Sequence, residues 1–237
     1  MKNISLLTEL LEKMEVVELS HKLEEHMPIW PTHSRFYKTL WHSYLHGDAA
    51  TDYQLLINEH HGTHIDSPAH FMKDGEAHVW IDEIPLKNFW GPCVVIDASF
   101  IGANGTLTDQ HVKDWEEKNG DICKNDIVLV SFGWAKFWKK RPDSYQFTHD
   151  WPGIGASAAQ YLVEKKIKML GVDTLAADGY GIEGDPAHHI LLSKKIPIIE
   201  NLNNLDLIPL RGYFMAHPLP ITKGSASPVR AIAFIER

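Results

Sequence analysis

The chain has 237 residues, 44% of them apolar and 23% charged, with a formal net charge of −8. Disorder is excluded by that composition, and the length permits one large domain burying roughly 70–75% of the unfolded surface. The acidic balance argues against a nucleic-acid-binding surface, since the longest basic run is only Lys139-Lys140-Arg141, and two cysteines, Cys93 and Cys123, cannot build a disulfide scaffold.

Leu6, Leu7, Leu10, Leu11 and Met14 recur at helical spacing, broken by Glu9, Glu12 and Lys13. This predicts a helix over about 5–14 rather than a signal-peptide core, and nothing approaches the ~20 apolar residues of a membrane span. A cytoplasmic protein with no membrane partner is expected. A strand-like Val16-Val17-Glu18-Leu19 follows. Pro28-Ile29-Trp30-Pro31 must be extended or turning, because proline fixes φ and biases the preceding residue away from helix. Residues 38–60 read as weakly β. Cys93–Ile96, Asp126–Ser131 and Lys168–Val172 are β-branched, apolar runs suited to buried strands. Thr108 can cap a helix running to about Lys118, and Gly155–Lys166 is helical. Pro186 suits the first position of a helix carrying His188 and His189. Ile196–Glu200 and Ala231–Ile235 close the set of strands, with Pro197 at an edge or a first position. Strands alternate with helices from residue 93 onward, so the class is α/β. No internal repeat or low-complexity tract interrupts residues 1–237, and a single domain is expected.

Fifteen histidines are the unusual count, and several of them cluster. His60-His61-Gly62-Thr63-His64-Ile65-Asp66-Ser67-Pro68-Ala69-His70 places metal-competent side chains at 60, 64, 66 and 70. A straight strand would separate His60 from Asp66 by ~20 Å at ~3.3 Å per residue, too far for one ion. An unbroken helix aligns His60 with His64 but turns Asp66 away, and Pro68 breaks its ladder. A turn solves both problems, and Gly62 and Pro68 are the residue types that make one. Two imidazoles and a carboxylate then suit Zn²⁺, Mn²⁺ or Fe²⁺ with positions left open for water. Far downstream, Glu200 follows His188, and a helix and a returning strand could bring the two together. Spacing alone favours surface residues for that pair. Asp97, Asp173 and Asp178 lie near strand ends, where active-site groups gather, although each reads individually as a cap or turn residue.

The run His60-x-Gly62-Thr63-His64-x-Asp66-x-Pro68-x-His70 resembles, position for position, the signature of the metal-dependent cyclase-like hydrolase family, which includes bacterial kynurenine formamidase and isatin hydrolase. The resemblance extends to Leu19-Ser20, Pro28–Pro31, Asp126–Trp134, Gly171-Val172-Asp173 and Ser227–Ala231. It implies a swivelling β/β/α domain that forms a homodimer or homotetramer. It further implies a first divalent metal on His60, His64 and Asp66, and a second on His188 and Glu200 with Asp66 bridging. Zinc or manganese, as one or two ions per chain, is the implied cofactor. His70 matches the family's catalytic histidine and Trp30 an aromatic position facing substrate, whereas His61 occupies a free position of the motif. One departure bears on substrate: kynurenine formamidases of the family typically follow the early Trp-Pro with Gly-Asp, while Trp30-Pro31 is followed by Thr32-His33-Ser34.

The chemistry follows from the residue types. A metal ion lowers the pKa of bound water and polarises a carbonyl, and a neutral histidine beside that water can move a proton. The expected activity is hydrolysis of a small amide, lactam or ester, N-formylkynurenine among them. No Gly-x-Ser-x-Gly elbow offers a serine mechanism, and Cys93 leads a buried-strand pattern. The rival expectation is a non-catalytic, metal-stabilised protein that binds a small molecule.

Overall fold

Period-two alternation of β-branched residues explains the centre of the molecule. In the computed structural model, which describes residues 2–236, Ile127–Ser131 is a strand buried on both faces. Val128 and Val130 join one apolar cluster, while Ile127 and Leu129 join another. Parallel neighbours Trp90–Asp97 and Met169–Val172 repeat the pattern on either side.

In chain order the strands are β1 (Glu15–Glu18), β2 (Tyr37–His42), β3 (Asp52–Leu56), β4 (His64–Asp66), β5 (Trp90–Asp97) and β6 (Thr106–Leu107). There follow β7 (Ile127–Ser131), β8 (Gly153–Ile154), β9 (Met169–Val172), β10 (Ile198–Glu200), β11 (Arg211–Pro218) and β12 (Ala226–Ile235). The helices are α1 (Lys2–Lys13), α2 (Asp109–Asn119), α3 (Ala156–Glu164) and α4 (Pro186–Leu192). The main sheet runs β1-β12-β11-β5-β7-β9-β10-β4. It closes on itself because the first residues of β12 pair with β4, Ala226 opposite Asp66 and Pro228 opposite His64. One cluster draws from every strand of this ring (Ile65, Val95, Leu129, Met169, Ile199, Phe214 and Ala231 among them) and so fills its interior. The other covers the outer face with α2, α3 and α4. This is the α/β class expected, with a barrel-like sheet.

Local chemistry sets the element ends. Thr108 caps α2 by accepting the His111 N–H, and Pro186 opens α4. Pro197 stands immediately before β10, an interior strand between β9 and β4, so it takes the first-position reading. β2 and β3 form a separate antiparallel hairpin with every residue exposed. Among the described residues no helix is long and apolar enough to cross a membrane.

Candidate metal centre and its pocket

The histidine-rich run becomes a turn, a short strand and a second turn. Gly62 takes a φ of +62°, a left-handed conformation that glycine adopts without strain. β4 follows over His64–Asp66, and Pro68 then starts a single 3-10 turn ending at His70. In β4, Ile65 points into the closed interior, so His64 and Asp66 point outward. Antiparallel pairing places Glu200 opposite His64, on the same outward face. Helix α4 covers that face and lowers His188 onto it.

Five side chains converge there. Asp66 Oδ1 lies 2.8 Å from His60 Nδ1 and 3.3 Å from His64 Nε2, and Glu200 Oε2 lies 3.5 Å from His64 Nε2. His188 Nε2 lies 3.1 Å from Glu200 Oε1 and 3.5 Å from Asp66 Oδ2. Two groups of three, His60–Asp66–His70 and His64–Asp66–Glu200, are each compact enough to hold one ion, and Asp66 belongs to both. His64, Asp66, His188 and Glu200 are all buried.

The opposite nitrogen of each imidazole is already committed. His64 Nδ1–H donates to the Gly62 carbonyl at 3.0 Å. His188 Nδ1–H donates to Asp178 Oδ2 at 2.6 Å. Ser225 Oγ spends its proton on Glu59 at 2.7 Å and therefore accepts from His60 Nε2–H at 3.2 Å. Each ring is thus fixed in the tautomer whose free lone pair faces the carboxylates. Asp66 Oδ1, buried and close to two nitrogens, has no hydrogen-bond donor. Lone pairs of three imidazoles and two carboxylates aimed at a common point, with no hydrogen between them, fit a divalent cation. Without one the same geometry draws protons. Burial would lower the His64 and His188 pKa values, but Asp66, Glu200 and, for His188, Asp178 outweigh it and raise both. Burial would also raise Asp66, yet His60, His70 and His64 hold it well below the usual carboxylate range.

His70 stands beside this set, its ring 4.1 Å from that of His60. It is open on its pocket side, yet the surrounding protein lowers its pKa to about 4, leaving a neutral imidazole at pH 7. The cavity above measures about 220 Å³ and is walled by Trp30, His33, Phe71, Leu175 and Asp185 as well as the converging histidines and acids. Phe71 stacks on His188 at 4.6 Å, and Trp30 packs edge-on against Trp151.

All seven residues singled out from the sequence (Trp30, His60, His64, Asp66, His70, His188 and Glu200) line this one pocket. Glu200 is 4% exposed, so the surface reading that spacing favoured for it is overturned by the pairing of β10 with β4. His61 stays outside the set: its Nδ1 accepts from the Asn58 N–H and its Nε2–H donates to the Ser34 carbonyl. Cys93 is a core residue whose thiol pKa burial pushes up to about 12. Nothing in the sequence favours Asp178 over other strand-end carboxylates. It caps the start of α4 through the Ala187 and His188 N–H groups while holding the His188 ring. His33 and Phe71 were also missed; only their closeness in sequence to Trp30 and His70 signalled them.

The Cyclase family model matches residues 17–179. The chain is 30% identical to a kynurenine formamidase of Geobacillus thermodenitrificans over 91% of its own length and 95% of that protein's. It superimposes on isatin hydrolase A from Labrenzia aggregata with a TM-score of 0.89, at 29% identity and complete coverage of both chains. A predicted metal-dependent hydrolase from Bacillus stearothermophilus matches with a TM-score of 0.74 and 27% identity, covering 94% of this chain and 99% of that one. With its pocket and its closed sheet, the chain belongs to the cyclase family of hydrolases, alongside the kynurenine formamidases and isatin hydrolases.

Proposed function

We propose that this pocket hydrolyses the C–N bond of a small amide, linear or cyclic, or the related ester bond, with a divalent metal held by His60, His64, Asp66, His188 and Glu200. The observation that carries this is the tautomer lock: three imidazoles whose second nitrogens are all spoken for, aimed at two buried carboxylates. A bound ion supplies an activated water and an electrophile for the carbonyl oxygen. His70, neutral and at the pocket edge, takes a proton from the attacking water and returns one to the leaving nitrogen or oxygen. Trp30 and Phe71 offer flat walls for an aromatic ring. The donor set of nitrogen and carboxylate ligands suits zinc or manganese, and Asp66, facing His60 and His64 through one oxygen and His188 through the other, has room in this set for one or two ions.

The test combines metal analysis of the purified protein with hydrolysis of N-formylkynurenine, isatin and a simple lactone. A metal-loaded protein that turns over at least one of them bears the proposal out. One that binds a panel member tightly and cleaves none is a binding protein instead. A homodimer or homotetramer is part of the same proposal: Trp41, Tyr44, Leu45 and Leu56 are 65%, 69%, 93% and 55% exposed on the hairpin and its tip. Exposed apolar side chains gathered on one hairpin are what a partner subunit would cover, and sedimentation checks it. A cytoplasmic location belongs to the same reading and is checked by fractionation.

A further inference from the structure

A second cavity of about 230 Å³ adjoins the metal pocket, and His33 lines both. Its polar wall is different in kind. The metal pocket presents only histidines, acids and an amide, whereas the neighbouring cavity is lined by Arg35 and Arg141 with Ser144 and Thr148. In a chain of net charge −8, arginines normally find carboxylates, and two here do: Arg230 pairs with Glu18 and Arg211 approaches Asp126. The Arg35 and Arg141 guanidiniums have no ion pair or hydrogen bond with any described residue. Arg141 Nε is buried with no hydrogen-bond partner among the described residues, so this guanidinium keeps its donors available to a group from outside the chain. Ser144 is 5% exposed, and its hydroxyl makes no hydrogen bond to a described residue either. The Thr148 hydroxyl, by contrast, is committed to the Ser144 and Tyr145 carbonyls and acts only as wall.

We propose that this cavity is a subsite for a carboxylate on the substrate, received by Arg35, Arg141 and the Ser144 hydroxyl. Planar guanidinium forks match a carboxylate in geometry as well as charge. His33 forms the threshold: its ring lies 5.4 Å from that of His60, so a molecule crossing it has one end at the ligand set and the other at the arginines. Resting on the hydrolase reading above, this narrows the substrate class to a small aryl or acyl amide, or ester, carrying an anionic group away from the scissile bond.

The experiment compares formanilide with 3- and 4-formamidobenzoate on the metal-loaded protein, reading the ratio of kcat/KM for the anionic to the neutral amide. Wild type should favour a formamidobenzoate. Arg35→Gln and Arg141→Gln should each lower the ratio on the order of 10- to 100-fold, and Arg141→Lys should restore part of it. Both substrates are read on one protein sample, so loss of folded or metal-loaded enzyme cancels. An unchanged ratio in both glutamine variants, with formanilide still cleaved, overturns the subsite and leaves the hydrolase reading intact. If none of the amides is cleaved, the hydrolase reading is what fails on this panel, and calorimetric titration with benzoate decides the subsite. Benzoate binding that weakens in both glutamine variants supports it, and equal binding overturns it. Inorganic phosphate that competes at these arginines where benzoate does not would make the cavity a free-anion site and overturn the carboxylate assignment.

Discussion

Asp178 does at the scale of one residue what the proposed metal ligands cannot do for themselves. Its carboxylate receives His188 Nδ1–H and two backbone N–H groups of α4, so it sets both the tautomer of the ring and the place of the helix. Partners of this kind commonly contribute 10- to 100-fold in metal affinity. Asp178→Ala should weaken binding by roughly that factor in a chelator competition, while His64→Ala should lose most of the first-site metal outright. His70→Ala is expected to behave differently: metal content stays near wild type and the rate falls on the order of 10²–10⁴. Metal loss in that variant would make His70 a ligand. The ligand types in His60–His70 were readable because the motif is dense and local. Glu200 was readable only through the family resemblance, and Asp178 not at all, because their roles depend on the β10–β4 pairing and on which nitrogen of His188 meets which acid.

At the scale of elements, the loop after β7 hangs on one buried carboxylate. Asp173, 2% exposed, accepts the N–H groups of Phe132 and Trp134, yet burial outweighs those bonds and raises its pKa to about 6. Below its ordinary value of 3.8 both the folded and unfolded chains hold the proton. As pH rises from there to about 6 the unfolded chain ionises first, so folding loses about 3 kcal/mol from this group across the window. Urea unfolding of wild type between pH 4 and 6.5 should therefore fall more steeply than that of Asp173→Asn. Parallel curves would refute the assignment. Gly153 is a second element-level constraint. A Cβ there would stand 2.1 Å from the Gly179 nitrogen and 2.5 Å from the Asp178 carbonyl carbon. Gly153→Ala should push that segment away, lowering thermal stability and metal affinity together. β5, β7 and β9 were legible because strands buried on both faces read as continuous β-branched runs. β11 was not, since its buried residues are only Phe214 and Ala216 among mixed polar neighbours. The first half of β12 escaped because Ser227 and Pro228 disguise a strand whose work is to close the ring.

For the whole molecule, the metal should be a structural brace as well as a reagent, because β4, β10, α4 and the turn carrying His60 all meet at its ligands. An ion present at about 1,000 times its Kd stabilises a fold by ~4 kcal/mol, which for a chain of this size is a shift in Tm of about 8–16 °C. Chelation should lower Tm by that order, and re-addition should restore it. The α/β class was plain from strand and helix alternation, but closure of the sheet was not, since it rests on three residues of β4 pairing at both edges. The central claim is that hydrolysis runs through this ligand set, and the direct test is the rate of amide cleavage by one sample before chelation, after it, and after reloading with zinc or manganese. The rate should vanish with the metal and return with it, at one to two ions per chain. Cleavage that continues undiminished in a metal-free sample would contradict the account.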